Sequence, residues 1–282
     1  MLKIDAHHHC WRYTAEDFPW IDDAMRPIRR NFYPADLAPL LAEAGVGGTV
    51  AVEARPAVEE TLQLLEHSQR HPFIRGVVGW VPLVDPKVAR LLEQLAEDPA
   101  LKGVRHALQP EPDEFMADPA FNSGLQALAK LGLSFDLVIR ARQLPAATAL
   151  VDRHPDLAFV LDHIAKPVVA GPPPVDWRRQ LAELARRPNV TCKFSGVVTE
   201  APGFAWTPAA LWPYFDVVLE CFGADRLMFG SDWPVCLLAT TYADWFRFVA
   251  SCVTGLSVTE RERILGDTAT RVYRLTARPT AI

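Results

Sequence analysis

Lys3-Ile4-Asp5-Ala6-His7-His8-His9 runs as a short strand-like segment that ends in three histidines. In an open doubly wound sheet, the turn after the first strand usually carries a glycine-rich phosphate loop. Here imidazoles stand in that place, and the pattern downstream points to a closed barrel. Strand-like runs fall at residues 3–7, 49–54, 76–83, 103–108, 133–138, 158–162, 190–194 and 226–230. Most are near-continuous stretches of Val, Ile, Leu and Phe, as in parallel strands buried on both faces. Amphipathic stretches alternate with them at 34–44, 58–71, 86–96, 119–131, 141–154, 175–187, 208–222 and 242–253. Several begin with proline in the first turn, where its missing N–H costs nothing. Gly45 follows the first of them as a C-cap candidate. Eight of each predict one (β/α)8 TIM-like barrel over residues 1–282. Residues 10–32, with two tryptophans and two prolines, read as a long loop over the barrel mouth. A last helix at 259–273 is expected against the outside of the barrel.

The composition agrees with one large buried core. The chain has 282 residues, half of them hydrophobic and 22% charged, with a formal net charge of -5. Such a chain offers no basic face for nucleic acid or an anionic membrane. No apolar run is long enough to span a bilayer, and the N-terminus enters a strand directly, without the pattern of a signal peptide. Five scattered cysteines with no CxxC pair read as reduced, mostly buried thiols, so a cytoplasmic protein is expected.

In such a barrel, chemistry sits where strands end. Side chains on a strand alternate, so His7 and His9 share a face and His8 points away. Two imidazoles on one face suit a metal ion, although a chance polar cluster is an equal reading of the pair alone. The sixth strand ends in Leu161-Asp162-His163 and the eighth in Phe229-Gly230-Ser231-Asp232-Trp233-Pro234. A lone His163 reads as a hydrogen-bonded structural histidine, and a lone Asp232 as a turn residue. Together with His7 and His9 they fall on strands one, six and eight, which a closed barrel gathers at one mouth. Three histidines and one aspartate can hold one divalent ion and leave a position for water. Two ions usually need a bridging Lys or Glu on strand four, where this chain has Arg105 and His106. Arg105 suits a carboxylate or carbonyl oxygen, and His106 suits proton transfer or carbonyl polarisation. An ion pair in the barrel wall is the competing reading for both. Glu53 reads as a further ligand or as an acceptor for substrate hydroxyls. Lys193 and Ser195 reach the end of strand seven, with a structural role as the equal alternative. Trp11, Trp80 and Trp233 stand near strand tips and are expected to wall the pocket.

Ile4-Asp5-Ala6-His7-His8-His9-Cys10-Trp11, Leu161-Asp162-His163-Ile164-Ala165-Lys166-Pro167 and Phe229-Gly230-Ser231-Asp232-Trp233-Pro234 resemble signature segments of the amidohydrolase superfamily. Gly103-Val104-Arg105-His106 and Ile264-Leu265-Gly266-Asp267-Thr268-Ala269 resemble further family segments. The likeness spans nearly the whole chain, in family order. It is strongest to the branch of sugar lactonases and dicarboxylate lactonases, whose members open L-fuconolactone, L-rhamnonolactone, pyrone dicarboxylate or muconolactone rings. The resemblance implies a metal set of His7, His9, His163 and Asp232. It implies one divalent ion, Zn2+, with weak or no metal dependence in some members.

The reaction this resemblance implies is opening of a lactone ring, on a sugar-acid lactone first. Asp232 activates water, with or without the ion. The oxyanion is met by the ion or by Arg105 and His106, with His163 beside them. Asp232 then returns the proton to the leaving ring oxygen. Glu53, Arg105, Trp11, Trp80 and Trp233 are the expected substrate contacts. Opening of a pyrone or muconolactone dicarboxylate is the alternative within the branch. Decarboxylation of an aromatic or muconate-type acid is the alternative reaction, and it calls for a firmly bound metal and several arginines. A non-catalytic barrel is the third reading, against which the complete set His7, His9, His163 and Asp232 stands.

Overall fold

Long-range pairing, not local propensity, decides this architecture. The computed structural model describes residues 2–276. Among them, eight parallel strands pair in sequence order: β1 (Ile4–His8), β2 (Gly48–Val52), β3 (Ile74–Gly79), β4 (Leu101–Ala107), β5 (Ser134–Val138), β6 (Phe159–Leu161), β7 (Val190–Phe194) and β8 (Leu227–Phe229). The helices that cover them are α1 (Pro34–Ala44), α2 (Val58–Arg70), α3 (Val88–Leu95), α4 (Pro119–Lys130), α5 (Leu144–Arg153), α6 (Val175–Ala185), α7 (Pro208–Phe222) and α8 (Tyr242–Cys252). Gly45 ends α1 in the left-handed region at φ 65°, the conformation a C-cap glycine adopts without strain. The sheet closes where His8 bridges Trp233 in parallel, with Asp232 N donating to His7 O at 2.8 Å and His9 N to Trp233 O at 2.7 Å. The result is the (β/α)8 barrel that the alternation predicts.

Two apolar layers build the core. The larger packs the outer faces of the strands against the helices. The smaller gathers Ile4, Ala6, Val50, Val52, Val78, Val160 and Met228 inside the barrel. Tyr273 and Leu275 join this inner layer. That differs from the expectation for the last segment. It is two short helices, α9 (Val258–Glu262) and α10 (Thr268–Val272), joined by a π-turn (Arg263–Asp267). Beyond them the chain turns under the barrel, and the Tyr273 hydroxyl donates to Asp136 Oδ2 at 2.6 Å.

Asp5 is the polar staple of the closure. A register slip between Asp5 and His8 lets this buried carboxylate reach across to the segment after β8. Its Oδ1 accepts from Ser231 N at 2.8 Å and His7 N at 3.1 Å, and its Oδ2 accepts from the Tyr242 hydroxyl at 3.1 Å. Removing the acceptor strands three buried donors, each worth about 1–3 kcal/mol. Asp5→Ala is therefore expected to lower unfolding stability by at least about 2 kcal/mol in urea titration. A loss below about 0.5 kcal/mol would show that closure does not depend on this residue.

Candidate active site

The strand tips meet in a cavity of about 460 Å³, a size suited to small-molecule ligands. His7 and His9 come from β1 and its end, and Asp232 from the turn after β8. One donor atom from each lies within 4.8 Å of the others. His9 Nδ1 donates to Val52 O at 2.8 Å, which leaves its Nε2 unprotonated. His7 Nδ1 accepts from Lys193 Nζ at 3.2 Å and lies 3.3 Å from Asp162 Oδ1, while its Nε2 lies 3.3 Å from Arg105 Nη1. The two Nε2 atoms stand 3.2 Å apart, with Asp232 Oδ1 3.3 Å from that of His9 and 3.7 Å from that of His7. One nitrogen from each histidine and one carboxylate oxygen thus converge, and this is a donor set that suits a cation. The residues present fit a divalent ion.

His163 stands on the flank of this group. Its Nδ1 pairs with Ser195 Oγ at 2.9 Å, and its Nε2 is 3.9 Å from Asp232 Oδ1. It falls in a second donor group with His7 and Asp162, which shares His7 with the first. Both His163 and Asp232 have left-handed backbones, at φ 53° and 56°, and Ile164, Ala165 and Lys166 continue the left-handed run. Such conformations cost about 1–2 kcal/mol per residue and concentrate where the site needs side chains re-aimed. Gly196 completes the crowding, because a Cβ there would lie 2.5 Å from His163 Nδ1 and 2.7 Å from Asp232 Oδ2.

Beneath the mouth lies a buried charged layer. Arg105 Nε donates to Glu53 Oε1 at 2.7 Å, and its Nη1 donates to Asp162 Oδ2 at 3.1 Å. Lys193 Nζ donates to Asp136 Oδ2 at 2.6 Å and lies 3.0 Å from Asp162 Oδ1. The sequence reading passed over Asp162 and Asp136. Asp162 stands next to His163 and was visible as a second polar residue at that tip, whereas Asp136 lies inside an apolar strand with no local signal.

Glu53, Arg105, His106 and Trp80 line the cavity, as do His9, His163 and Asp232. Trp11 and Trp233 do not. The Trp11 indole N–H donates to Arg30 O at 2.9 Å, and its ring packs on Phe18, Trp20 and Phe32. Trp233 is buried against Phe32. The wall is instead formed by Trp20, from the long loop after β1, whose indole N–H donates to Ala54 O at 3.0 Å. His8 turns away from the cavity, and its Nε2 lies 2.9 Å from Thr49 Oγ1.

Amidohydrolase family sequences match this chain over residues 4–275, and the chain belongs to that family. It is 38% identical to an L-fucono-1,5-lactonase of Burkholderia ambifaria over 279 residues, covering 97% of this chain and 96% of that protein. It is 41% identical to an L-fucono-1,5-lactonase of Burkholderia multivorans over 292 residues, with the same coverage. A crystal structure of an amidohydrolase from Burkholderia multivorans with bound Zn superposes with a TM-score of 0.92 at 40% identity, covering 98% of this chain and all of that one.

Electrostatics set the protonation states. Burial pushes the His163 imidazole down to about 4, against the pull of the Asp232 carboxylate. Burial also holds His7 well below the usual imidazole range. Burial opposes ionisation of Asp232, but His163, His9 and His7 outweigh it and hold the carboxyl below its ordinary range. A group lowered in the folded state keeps its deprotonated form down to its new pKa. His163 is therefore neutral and Asp232 ionised above about pH 5. kcat/KM is expected to stay flat from about pH 5 to about pH 8 and to fall only as His163 protonates. An acid limb centred near about 6.5, the free imidazole value, would overturn this assignment.

Proposed function

We propose that this chain is a lactonase that opens an uncharged sugar-acid lactone, of the L-fucono-1,5-lactone kind, around one divalent ion, Zn2+. The observation that carries the reading is the convergence of His7 Nε2, His9 Nε2 and Asp232 Oδ1 at the wall of one cavity, which His9 and Asp232 line. The full-length likeness to two L-fucono-1,5-lactonases supports the choice of reaction. When bound, the ion polarises the lactone carbonyl and acidifies water.

The protein groups divide the remaining work. Asp232 Oδ1 faces the three histidines, and among the described residues Oδ2 makes no hydrogen bond. We assign Oδ2 as the base that takes a proton from water as the water oxygen attacks the carbonyl carbon. Charge develops on the carbonyl oxygen, and the buried Arg105 guanidinium lies on the cavity wall to meet it. As the ring C–O bond breaks, Asp232 returns its proton to the leaving oxygen, and the product is the open hydroxy acid. His163 flanks the reacting groups, and His106, 3.4 Å from Glu111, supplies a second proton-exchanging group on the wall. Glu53 and Trp80 contact the sugar.

The cavity's cations favour a neutral ring over a dicarboxylate. Arg55 is paired with Asp17 at 2.6 Å, Arg105 with Glu53 at 2.7 Å, and Lys166 with Glu200 at 3.4 Å. Among the described residues, Arg140 is the one cavity-lining cation without an acidic partner. Two substrate carboxylates would need more. No helix of the described residues is long and apolar enough to cross a membrane, and the five free cysteines fit a reducing cytoplasm.

The test is hydrolysis of L-fucono-1,5-lactone, other aldonolactones and 2-pyrone-4,6-dicarboxylate, followed by pH indicator with and without chelator. Turnover is expected on a sugar lactone. Preference for the dicarboxylate, or carbon dioxide release from an aromatic acid, would overturn the reading. Asp232→Asn is expected to lower kcat by about 100- to 10,000-fold with metal content measured in the same sample. His8→Ala is expected to keep turnover in its folded fraction, whereas His7→Ala and His9→Ala lose it. Near wild-type rates in Asp232→Asn would move the base to His163 or Glu53.

A further inference from the structure

Two donor groups for a cation overlap in this barrel and share His7. One is His7, His9 and Asp232, and the other is His7, Asp162 and His163. Among the described residues, no lysine or arginine forms an ion pair with Asp232, and the first group meets a cation only where Arg105 Nη1 lies 3.3 Å from His7 Nε2. The second is different, because each of its members already has a protein partner. Lys193 comes up from β7 with its side chain wholly buried. Its Nζ lies 3.0 Å from Asp162 Oδ1 and 3.2 Å from His7 Nδ1, against two of the three donors. Arg105 Nη1 takes the other Asp162 oxygen at 3.1 Å. Ser195 Oγ takes His163 Nδ1 at 2.9 Å.

We infer that Lys193 is a built-in cation standing where a second ion would sit, and that it holds the site to one divalent ion per chain. The inference rests on the metal reading above. An ion bound to Asp162 Oδ1 would approach within about 2.2 Å of that oxygen, in the space the ammonium group fills. Repulsion between the two cations in a buried site would expel it. The ammonium group is fixed from below. Asp136 Oδ2 accepts from it at 2.6 Å and also accepts from the Tyr273 hydroxyl at 2.6 Å, while Ser134 Oγ donates to Asp136 Oδ1 at 3.2 Å. This chain of contacts ties the floor segment to the active-site histidine. Lys193 is thus a positioning residue. It meets no substrate, and it orients His7 through the shared Asp162.

The test is metal stoichiometry. Wild type and variants are stripped with chelator, loaded with excess Zn2+, desalted and measured by inductively coupled plasma mass spectrometry, with circular dichroism as the check on folding. Lys193→Ala alone would leave Asp136 unpaired and endanger the fold. The informative variant is Lys193→Met with Asp136→Asn, which removes both members of the pair and leaves Asp162 held by Arg105. Lys193→Gln, neutral but still hydrogen-bonding, is the second. Both are expected to retain two equivalents, while wild type and Lys193→Arg retain one. Two equivalents in wild type, or one in the folded neutral variants, would overturn the role of Lys193 and leave the metal reading standing. A wild type that retains none removes the metal reading itself, and the inference with it.

Discussion

Two backbone hydrogen bonds hold this site together. Asp232 N to His7 O and His9 N to Trp233 O join the last strand tip to the first. The partners are more than 220 residues apart in the chain, so no local preference can place them. Closing so long a loop costs conformational entropy, although that cost grows only slowly with length. The apolar burial of two layers offsets it, one inside the barrel and one between strands and helices. His9 and Asp232 line one cavity, with His7 buried behind them, only because the sheet has become a barrel. An open sheet with the same strands would put them on opposite edges.

The polar interior is arranged by depth. Ile4, Val50, Val160 and Met228 form the apolar floor, with Tyr273 and Leu275 joining them. Above it comes the layer of Arg105, Asp136, Asp162 and Lys193, and above that the histidines and Asp232. Burying unpaired charge is costly enough that a protein normally neutralises it. Here each charge is matched: Arg105 has Glu53 and Asp162, and Lys193 has Asp136 and Asp162. Apolar residues of equal volume would often serve stability as well or better. The layer makes sense as an aiming device, because Lys193 and Asp162 at Nδ1 and Arg105 at Nε2 fix how the His7 ring is turned.

Much of this was legible in the sequence, and the failures share a cause. Strand β7 and helices α1 and α7 fall on the bounds read from apolar runs and proline starts. Strands β6 and β8 are one residue shorter at each end than their apolar runs, and beyond them the backbone turns left-handed at His163 and Asp232, whose side chains line the cavity. Period-two alternation separated His8 from His7 and His9. What sequence could not supply was depth and distant partners. Asp136 lies inside an apolar strand, and its partners Lys193 and Tyr273 come to it from 57 and 137 residues away. Trp11 and Trp233 were placed near strand tips correctly, but nearness to a tip does not say which way an indole points. Trp20 lay in a loop with no periodicity to read.

That last contrast separates chemistry from selectivity in this barrel. The groups that converge on Asp232 stand on strands or on the turns that end them, and the buried charged layer fixes them from below. The rim is held differently. The loop after β1 meets the segment after β2 through Trp20 Nε1 on Ala54 O and through the ion pair Arg55–Asp17, both at the partly exposed edge of the molecule. The segment after β2 is in turn held by Glu60, whose carboxylate accepts from Ala54 N at 3.1 Å and Arg55 N at 2.8 Å. Glu60 is buried, but the partly exposed Trp20 and Arg55 contacts contribute little individually to stability, so the outer rim can be rebuilt without disturbing the barrel. The tips of β1, β4, β6, β7 and β8 have no such freedom, because they are bound into closure or into the charged layer. A barrel of this design keeps its ring-opening chemistry on the rigid part and lets the part that touches the substrate's substituents change.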